Sequence, residues 1–325
     1  MENKIINRES RIEEIKIKVN EYEPLVSVII ATFRRIDSLK KALVSLTTQT
    51  YQNIEIVVVD DNADKSWNEK VFEIITESDH PIIYIRNNLN QGSAMTRNIG
   101  IEVAKGEYIT FLDDDDIYLP QKIEKQLVNM LKNDSDFSIT DLCLYDENDN
   151  LIEIRNRFYL EDVNRISQRD SLEYSKQLLK YHLMYHMTGT DTMMYKKSYL
   201  ISIGYFPLIN VGDEFYLMQK AIQKGGRFSY VERCDIKAYV HSETLGLSSG
   251  DSKINGENRL YEHKKKFFTE LSSKEKRYIT MRHFAVLAFA EKRRKRKIKF
   301  LKYCIISFFN SPIQCSELLL SIMKR

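Results

Sequence analysis

The stretch Tyr108-Ile-Thr-Phe-Leu-Asp-Asp-Asp-Asp116 decides how this chain folds, because an apolar run of strand type ends directly in four adjacent carboxylates. Four neighbouring acids repel one another and need a counter-charge at the mouth of a buried strand. A divalent cation with a phosphate partner supplies one, and oxygen ligands suit Mg²⁺ or Mn²⁺. The alternative is a helix N-terminus with acidic first-turn residues, since residues 117–131 have a helical pattern. That alternative explains one or two acids, not four.

The segments before this stretch alternate between strand and helix patterns. Apolar β-branched runs at 26–31, 54–59 and 82–85 are separated by amphipathic helical patterns at 37–48, 67–76 and 93–104. Such alternation predicts a parallel sheet with helices on both faces. Ligands bind beyond the carboxyl ends of the strands in such sheets. Three of the four predicted strands end there in polar residues, which are Thr32 to Arg35, Asp60 to Asn62 and Asp113 to Asp116.

The composition excludes several classes of protein. The 325 residues are 43% hydrophobic with only 11 Gly and 5 Pro, so long disordered linkers are not expected. The four cysteines lack the spacing of a zinc site or a disulfide framework. The N-terminus has no apolar leader, and no 18-residue apolar stretch occurs. These features predict a cytoplasmic protein without a membrane-spanning helix.

Charge is distributed unevenly along the chain. Residues 259–325 contain 18 Lys and Arg against 5 Asp and Glu, whereas the rest of the chain is acidic. A polybasic run opens the segment 292–309, and apolar and aromatic residues follow it. This combination favours the inner, anionic face of the cell membrane as a peripheral binding surface. The alternative is a helical pair packed on the rest of the protein with a solvated basic face. No nucleic-acid recognition motif accompanies the charge, so no nucleic-acid partner is expected.

Four ordered blocks of this sequence resemble family 2 glycosyltransferases, which are inverting nucleotide-sugar transferases of GT-A fold. The blocks are Val26 to Arg35, Ser45 to Asp61, Asn90 to Gly100 and Gly106 to Asp116. The resemblance implies an α/β GT-A fold, with a mostly parallel Rossmann-like sheet flanked by helices and a C-terminal helical extension. Three residues, Ala31, Arg34 and Ala63, depart from the family pattern and affect base specificity more than catalysis.

The resemblance also implies a division of the chain. Residues 1–23 would form an N-terminal extension and 24–257 the catalytic domain, with a nucleotide-binding half at 24–120 and an acceptor-binding half at 121–257. Residues 258–325 would form the basic helical region.

In the first half, the resemblance implies roles for the residues at the strand ends. Asp60 or Asp61 would accept the N3–H of a uracil base, and Arg97 would approach the ribose or diphosphate. Asp113 and Asp115 match the family's DxD motif, with Asp115 on the metal. The implied nucleotide-binding residues are Thr32, Phe33, Arg35, Asp60, Asp61, Arg97, Asp113 and Asp114.

In the second half, the resemblance implies the base and the sugar-binding residues. An acidic pair, Asp213 and Glu214, opens a predicted helix. Either carboxylate is a candidate to take the proton of the acceptor hydroxyl, Glu214 by register. Thr188 and Gly189 would border the donor sugar and acceptor. His241 matches a late metal-ligating histidine of GT-A enzymes, although a lone histidine is also a common structural residue.

Together these expectations describe an enzyme that transfers a sugar from a UDP-sugar to a glycan or lipid-linked acceptor, with Mn²⁺ or Mg²⁺ as cofactor. The implied pathway is the synthesis of surface polysaccharide or glycoconjugate. One alternative is a sugar-phosphate nucleotidyltransferase, but the loop after the first strand lacks the glycines that such an enzyme needs. The other is a non-catalytic scaffold that binds nucleotide-sugar.

Overall fold

The computed structural model describes residues 23–78, 80–155, 171–209, 211–240 and 250–323. The predicted alternation of strands and helices in the first part is confirmed. The elements are β1 (Val26–Thr32), α1 (Ile36–Thr47), β2 (Ile54–Asp60), α2 (Lys65–Thr76), β3 (Ile82–Arg86), α3 (Ser93–Val103) and β4 (Tyr108–Phe111).

The second part completes the main sheet and adds a smaller one. Its elements are β5 (Ile117–Tyr118), α4 (Lys122–Lys132), β6 (Phe137–Thr140), β7 (Leu142–Tyr145), β8 (Leu151–Arg155), α5 (Leu172–Tyr185), β9 (Met193–Lys196), α6 (Lys197–Ser202), α7 (Asp213–Gln223), β10 (Phe228–Val231) and β11 (Ile236–Tyr239). Seven strands pair in the order β10-β6-β9-β4-β1-β2-β3, and four in the order β5-β11-β7-β8. Among the described strands of the larger sheet, only β9 runs antiparallel to its neighbours.

Helices cover both faces of the larger sheet because its strands are apolar on both sides. Ile29 of β1 packs in one core with residues of α3, α5, α6 and α7. Its neighbours Val28 and Ile30 pack in the opposite core with residues of α1, α2 and α4. This arrangement is the doubly covered sheet that the continuous apolar strands predict.

The helical pattern at 117–131 is only partly confirmed. Residues Ile117 and Tyr118 pair with β11 instead, and the helix begins at Lys122. Pro120 disfavours helical geometry at the residue before it, so the helix starts beyond this proline. The Tyr118 hydroxyl lies within hydrogen-bonding distance of the Thr110 hydroxyl and of the Asp191 carbonyl, which holds the short strand in the core.

Four helices follow: α8 (Gly250–Lys265), α9 (Ser273–Arg293), α10 (Lys297–Asn310) and α11 (Pro312–Met323). Helices α8 and α9 share a core with α5 and α7, formed by Leu183, Phe215, Leu260, Leu271 and Ile279. The predicted boundary at residue 258 therefore falls inside α8. Across the described ranges, no helix has the length and apolar content to cross a bilayer.

Candidate active site

Three strand ends meet at one edge of the larger sheet, as the sequence predicts. The loop after β1 contacts the acids after β4, since Thr32 Oγ1 and the Phe33 amide donate to Asp114 at 2.9 and 3.1 Å. The same loop contacts the end of β2, where the Arg34 amide donates to Asn62 at 2.8 Å. Parallel strands place their carboxyl ends together, so residues far apart in sequence become neighbours.

Within the acidic quartet, Asp114 anchors the loop after β1 through the hydrogen bonds that it accepts from Thr32 and Phe33. Arg35 Nη1 lies 2.9 Å from Asp114 and 2.8 Å from Asp115, and it neutralises charge within the quartet. Burial raises the pKa of Asp114 to about 6, although the Arg35 guanidinium opposes the shift. The Phe33 ring remains 43% exposed beside this anchor. Its open face is available to an aromatic base.

Asp60 and Asp61 are both buried and satisfied by protein donors. Asp60 accepts from the amide groups of Asn62 and Asn68 at 2.7 and 2.8 Å, and from the Tyr84 hydroxyl at 2.7 Å. Asp61 accepts from the Asn87 side chain and from the amides of Gln91 and Gly92, at 2.7 to 2.9 Å. These bonds fix the loops after β2 and β3 at the edge of the sheet.

A second acidic group lies deeper and contains a residue that sequence reasoning did not select. One carboxylate oxygen from each of Asp113, Asp116 and Asp191 lies within 4.8 Å of the others. The Asp113 amide also donates to Asp191 at 2.6 Å. Burial and the Asp113 charge raise the pKa of Asp191 to about 7. Burial and the Asp191 charge raise the pKa of Asp116 well above its ordinary range.

This triad, Asp113, Asp116 and Asp191, fits a divalent cation. Its donors are all carboxylate oxygens, the ligands that Mg²⁺ and Mn²⁺ accept. Like charges packed so closely raise one another's proton affinity, and a cation would relieve the repulsion. Asp115 also acts on this group, because its charge contributes to the raised pKa of both Asp116 and Asp191. His241, the other predicted ligand, lies outside the described residues.

Arg97 connects the acids of the two halves of the chain. Its guanidinium is buried, with Nη2 2.7 Å from Asp113 and Nη1 3.1 Å from Asp213. Burial raises the pKa of Asp213 to about 7, whereas the Arg97 charge lowers it. Asp213 is therefore paired with the guanidinium that also holds Asp113, and a side-chain hydrogen bond to Glu214 adds to its raised pKa.

Glu214, the next residue on α7, has different surroundings. Its side chain is 21% exposed, against 7% for Asp213. The Glu214 Oε1 lies 3.4 Å from His186 Nε2. Of the two candidate bases, Glu214 is thus the one with solvent access.

The predicted sugar-binding residues lie between α5 and β9. The Thr188 hydroxyl is buried and has no hydrogen-bond partner among the described residues. Gly189 begins a short 3₁₀ turn over Thr190–Thr192, and its amide donates to Thr192 Oγ1 at 3.3 Å. This turn carries Asp191 into the acidic group. Asp191 opens the strand-like run Asp191-Thr-Met-Met-Tyr195, which was its signal in the sequence, but His186 had no signal.

Comparison with known proteins agrees with this geometry. The sequence profile described as glycosyl transferase family 2 matches residues 27–203. An uncharacterized glycosyltransferase of Methanocaldococcus jannaschii is 29% identical over 228 residues, which cover 70% of this chain and 74% of that protein. The Escherichia coli enzyme named UDP-Glc:alpha-D-GlcNAc-diphosphoundecaprenol beta-1,3-glucosyltransferase WfaP is 42% identical over 105 residues. Those residues cover 32% of this chain and 40% of that enzyme.

A solved structure shares the fold. The mannosyltransferase PcManGT of Pyrobaculum calidifontis, in complex with GDP-Man and Mn²⁺, superimposes with a TM-score of 0.54 at 16% identity. The match covers 92% of this chain and 79% of that one. The fold is therefore the GT-A fold of nucleotide-sugar transferases. The chain belongs to glycosyl transferase family 2, and it is a glycosyltransferase.

Proposed function

We propose that this glycosyltransferase is metal-dependent and inverting, and that it transfers a sugar from a UDP-sugar to a hydroxyl acceptor in surface glycan synthesis. One observation carries the proposal. Arg97 joins Asp113, at the end of β4, to Asp213, at the start of α7, so the acidic cluster and the candidate base belong to one site. The Escherichia coli relative is named for a UDP-linked donor, which supports uridine as the nucleoside of the donor.

The donor would lie across the carboxyl edge of the sheet. The exposed Phe33 ring would pack against the base, next to Thr32 and Arg35. The cation would be held by the triad and Asp115, with His241 as the further predicted ligand. When bound, such a cation neutralises charge on the diphosphate leaving group.

In the proposed transfer step, Glu214 acts on the acceptor hydroxyl. The acceptor oxygen attacks the anomeric carbon from the side opposite the diphosphate and forms the new C–O bond. The bond from that carbon to the diphosphate oxygen breaks, and its electron pair leaves with the nucleoside diphosphate. Glu214 takes the hydroxyl proton as general base. A single displacement of this kind inverts the configuration.

A panel of nucleotide-sugars with Mn²⁺ tests the reaction class, with product analysis for each donor. We expect turnover of a UDP-sugar with release of UDP. Release of pyrophosphate would instead identify a sugar-phosphate nucleotidyltransferase. Binding of a donor without any turnover would identify a non-catalytic scaffold.

Three variants assign the roles within the site. Asp115→Asn and Asp191→Asn should each weaken Mn²⁺-dependent UDP binding at least about tenfold, since each removes a charged ligand. Glu214→Gln should keep UDP affinity and lower turnover by about 10²- to 10⁴-fold. Glu102→Gln, on the exposed face of α3, is the control. If Asp115→Asn kept full Mn²⁺-dependent UDP binding, Asp115 would be excluded as a cation ligand. The triad would then form the cation site without it.

We also propose that α10 binds the anionic inner face of the cell membrane and brings the enzyme to a lipid-linked acceptor. Helices α8 and α9 pack on the catalytic core, as the alternative prediction requires, but α10 exposes an apolar face. Ile298 is 87% exposed and Phe309 is 73% exposed, and the same helix exposes Leu301, Ile305 and Phe308. Between Lys292 and Ser316 the sequence has no acidic residue. An apolar face beside clustered lysines and arginines suits the interface of an anionic bilayer.

A further inference from the structure

Helices α5 and α7 meet through two histidines, one helical turn apart, at the end of α5. His182 is fully buried, with its ring 4.1 Å from the Phe215 ring and its Nε2 3.0 Å from the Phe215 carbonyl oxygen. His186 lies at the end of the same helix, and its Nε2 is 3.4 Å from Glu214 Oε1. The last turn of α5 therefore holds the first turn of α7, where the candidate base is located.

The backbone at His186 has an unusual conformation for this residue. Its φ is 54°, in the left-handed region that glycine and asparagine adopt most readily. The His186 amide still donates to the His182 carbonyl at 2.9 Å, so the residue ends α5. Glycine is the usual residue at such a helix end. A histidine in this position has a conformational cost that its side chain must offset.

The side chain of His186 lies at the solvent-accessible border of the site, beside Glu214. It is 24% exposed and Glu214 is 21% exposed, so the pair borders solvent rather than the closed core. A carboxylate only accepts hydrogen bonds, so a neutral His186 facing it must carry its proton on Nε2. A base whose orientation is fixed by a third group is a recurrent arrangement in enzymes.

We propose that His186 is a positioning residue, which holds one oxygen of Glu214 so that the other faces the acceptor hydroxyl. This inference rests on the proposed function, because it requires Glu214 to act as the base. The contrast with Asp213 supports it. Asp213 is paired with the cationic Arg97, whereas Glu214 has the His186 imidazole, which can be neutral, on one side and the Asp213 carboxyl, to which it is hydrogen-bonded, on the other.

The decisive variant is His186→Gly. Glycine relieves the left-handed backbone strain but loses the contact of the His186 ring with the Phe215 ring, whose centroids are 5.0 Å apart, so the free energy of unfolding should change little. We expect kcat to fall by about 10- to 100-fold, with UDP affinity in Mn²⁺ unchanged. Added imidazole should restore part of the lost activity in His186→Gly, but none in Glu214→Gln. Unchanged kcat in His186→Gly would overturn the proposal, as would a lower free energy of unfolding that accounts for the whole loss.

A second measurement does not depend on turnover. With ¹⁵N-labelled histidine, the ring nitrogen shifts of His186 should show the Nε2–H tautomer and should change in Glu214→Ala. Identical His186 ring shifts in wild type and Glu214→Ala would show that the two side chains do not interact. If the wild type turns over no nucleotide-sugar, the proposed function fails, whereas the ring shifts still decide whether the pair exists.

Discussion

At the scale of single residues, the acids at the carboxyl edge of the sheet differ in what satisfies them. Asp60 and Asp61 are held by neutral donors, and Asp114 by a guanidinium, a hydroxyl and an amide. Asp116 and Asp191 instead lie against each other and Asp113. The same residue type therefore fixes the surrounding loops in one place and forms a cluster with raised pKa values in another.

Asp60→Asn tests the first of these roles. Asp60 accepts hydrogen bonds from Asn62, Asn68 and Tyr84. In the variant an NH₂ group replaces one of the accepting oxygens, so a donor would face a donor. We expect the free energy of unfolding to fall by about 2 kcal/mol in urea denaturation. The control is Asp64→Asn, since Asp64 caps α2 and asparagine caps helices equally well. An Asp60→Asn protein with wild-type stability would show that these bonds contribute little.

At the scale of elements, α8 places a lysine where the core is apolar. Lys264 is buried, with its ammonium nitrogen 4.8 Å from the centre of the Phe215 ring. Burial lowers the pKa of Lys264 to about 7, and the charge of Arg282 adds to the shift. Phe215 directly follows Glu214 in the sequence, so Lys264 contacts the residue next to the candidate base.

This burial predicts a pH dependence of stability. Between pH 7 and about 10.5 the unfolded chain holds a proton on Lys264 that the folded protein has released, so stability rises with pH in that window. We expect Lys264 to contribute an increase of about 2 kcal/mol between pH 7 and 9. The contribution is the difference between wild type and Lys264→Met in urea denaturation at each pH. The neighbouring, exposed Lys265→Met should leave the increase in place. A pH dependence equal in wild type and Lys264→Met would contradict the assignment.

Hydrogen bonds connect the exposed helix to the site through two further elements. The hydroxyl of Ser307 in α10 donates to the Met281 carbonyl of α9 at 2.9 Å. Arg282 of α9 donates to the Met184 carbonyl of α5 at 2.8 Å. Since α5 ends at His186, the surface proposed to bind membrane and the candidate base are connected through packed helices.

At the scale of the whole molecule, an acidic catalytic part and a basic C-terminal part have different partners in this proposal. The carboxylates face a cation and a diphosphate, whereas the lysines and arginines of residues 292–302 face an anionic surface. The two kinds of charge lie in different parts of the sequence, although Arg294 and Asp251 form one ion pair between them at 2.6 Å.

Vesicle binding tests this arrangement. The protein should co-sediment with anionic phospholipid vesicles and less with neutral ones, and added salt should weaken binding. Leu301→Ser should reduce vesicle affinity about tenfold, because the leucine loses its burial in the bilayer interface. Leu172→Ser is the matched control, since Leu172 is 73% exposed at the start of α5, far along the chain from α10. Equal loss in both variants, or no binding to anionic vesicles, would exclude α10 as the membrane surface.

The sequence alone determined the sheet and its functional edge. Runs such as Ile54 to Val59 are apolar at every position, which requires burial on both faces, and parallel strands then bring their polar ends together. These inferences depend only on residues close in sequence. The resemblance to family 2 glycosyltransferases, which the family profile confirms, added the prediction that the protein transfers a sugar.

Only the tertiary structure decided which partner each side chain has. Arg97 and Asp213 are 116 positions apart, and Asp113 and Asp191 are 78 apart. No local pattern encodes such contacts, because they depend on how β9 enters the sheet between β4 and β6 and on how α7 packs against α5. His186 shows this most clearly. Its sequence context is an ordinary helix end, and only the packing of two helices places its imidazole beside Glu214.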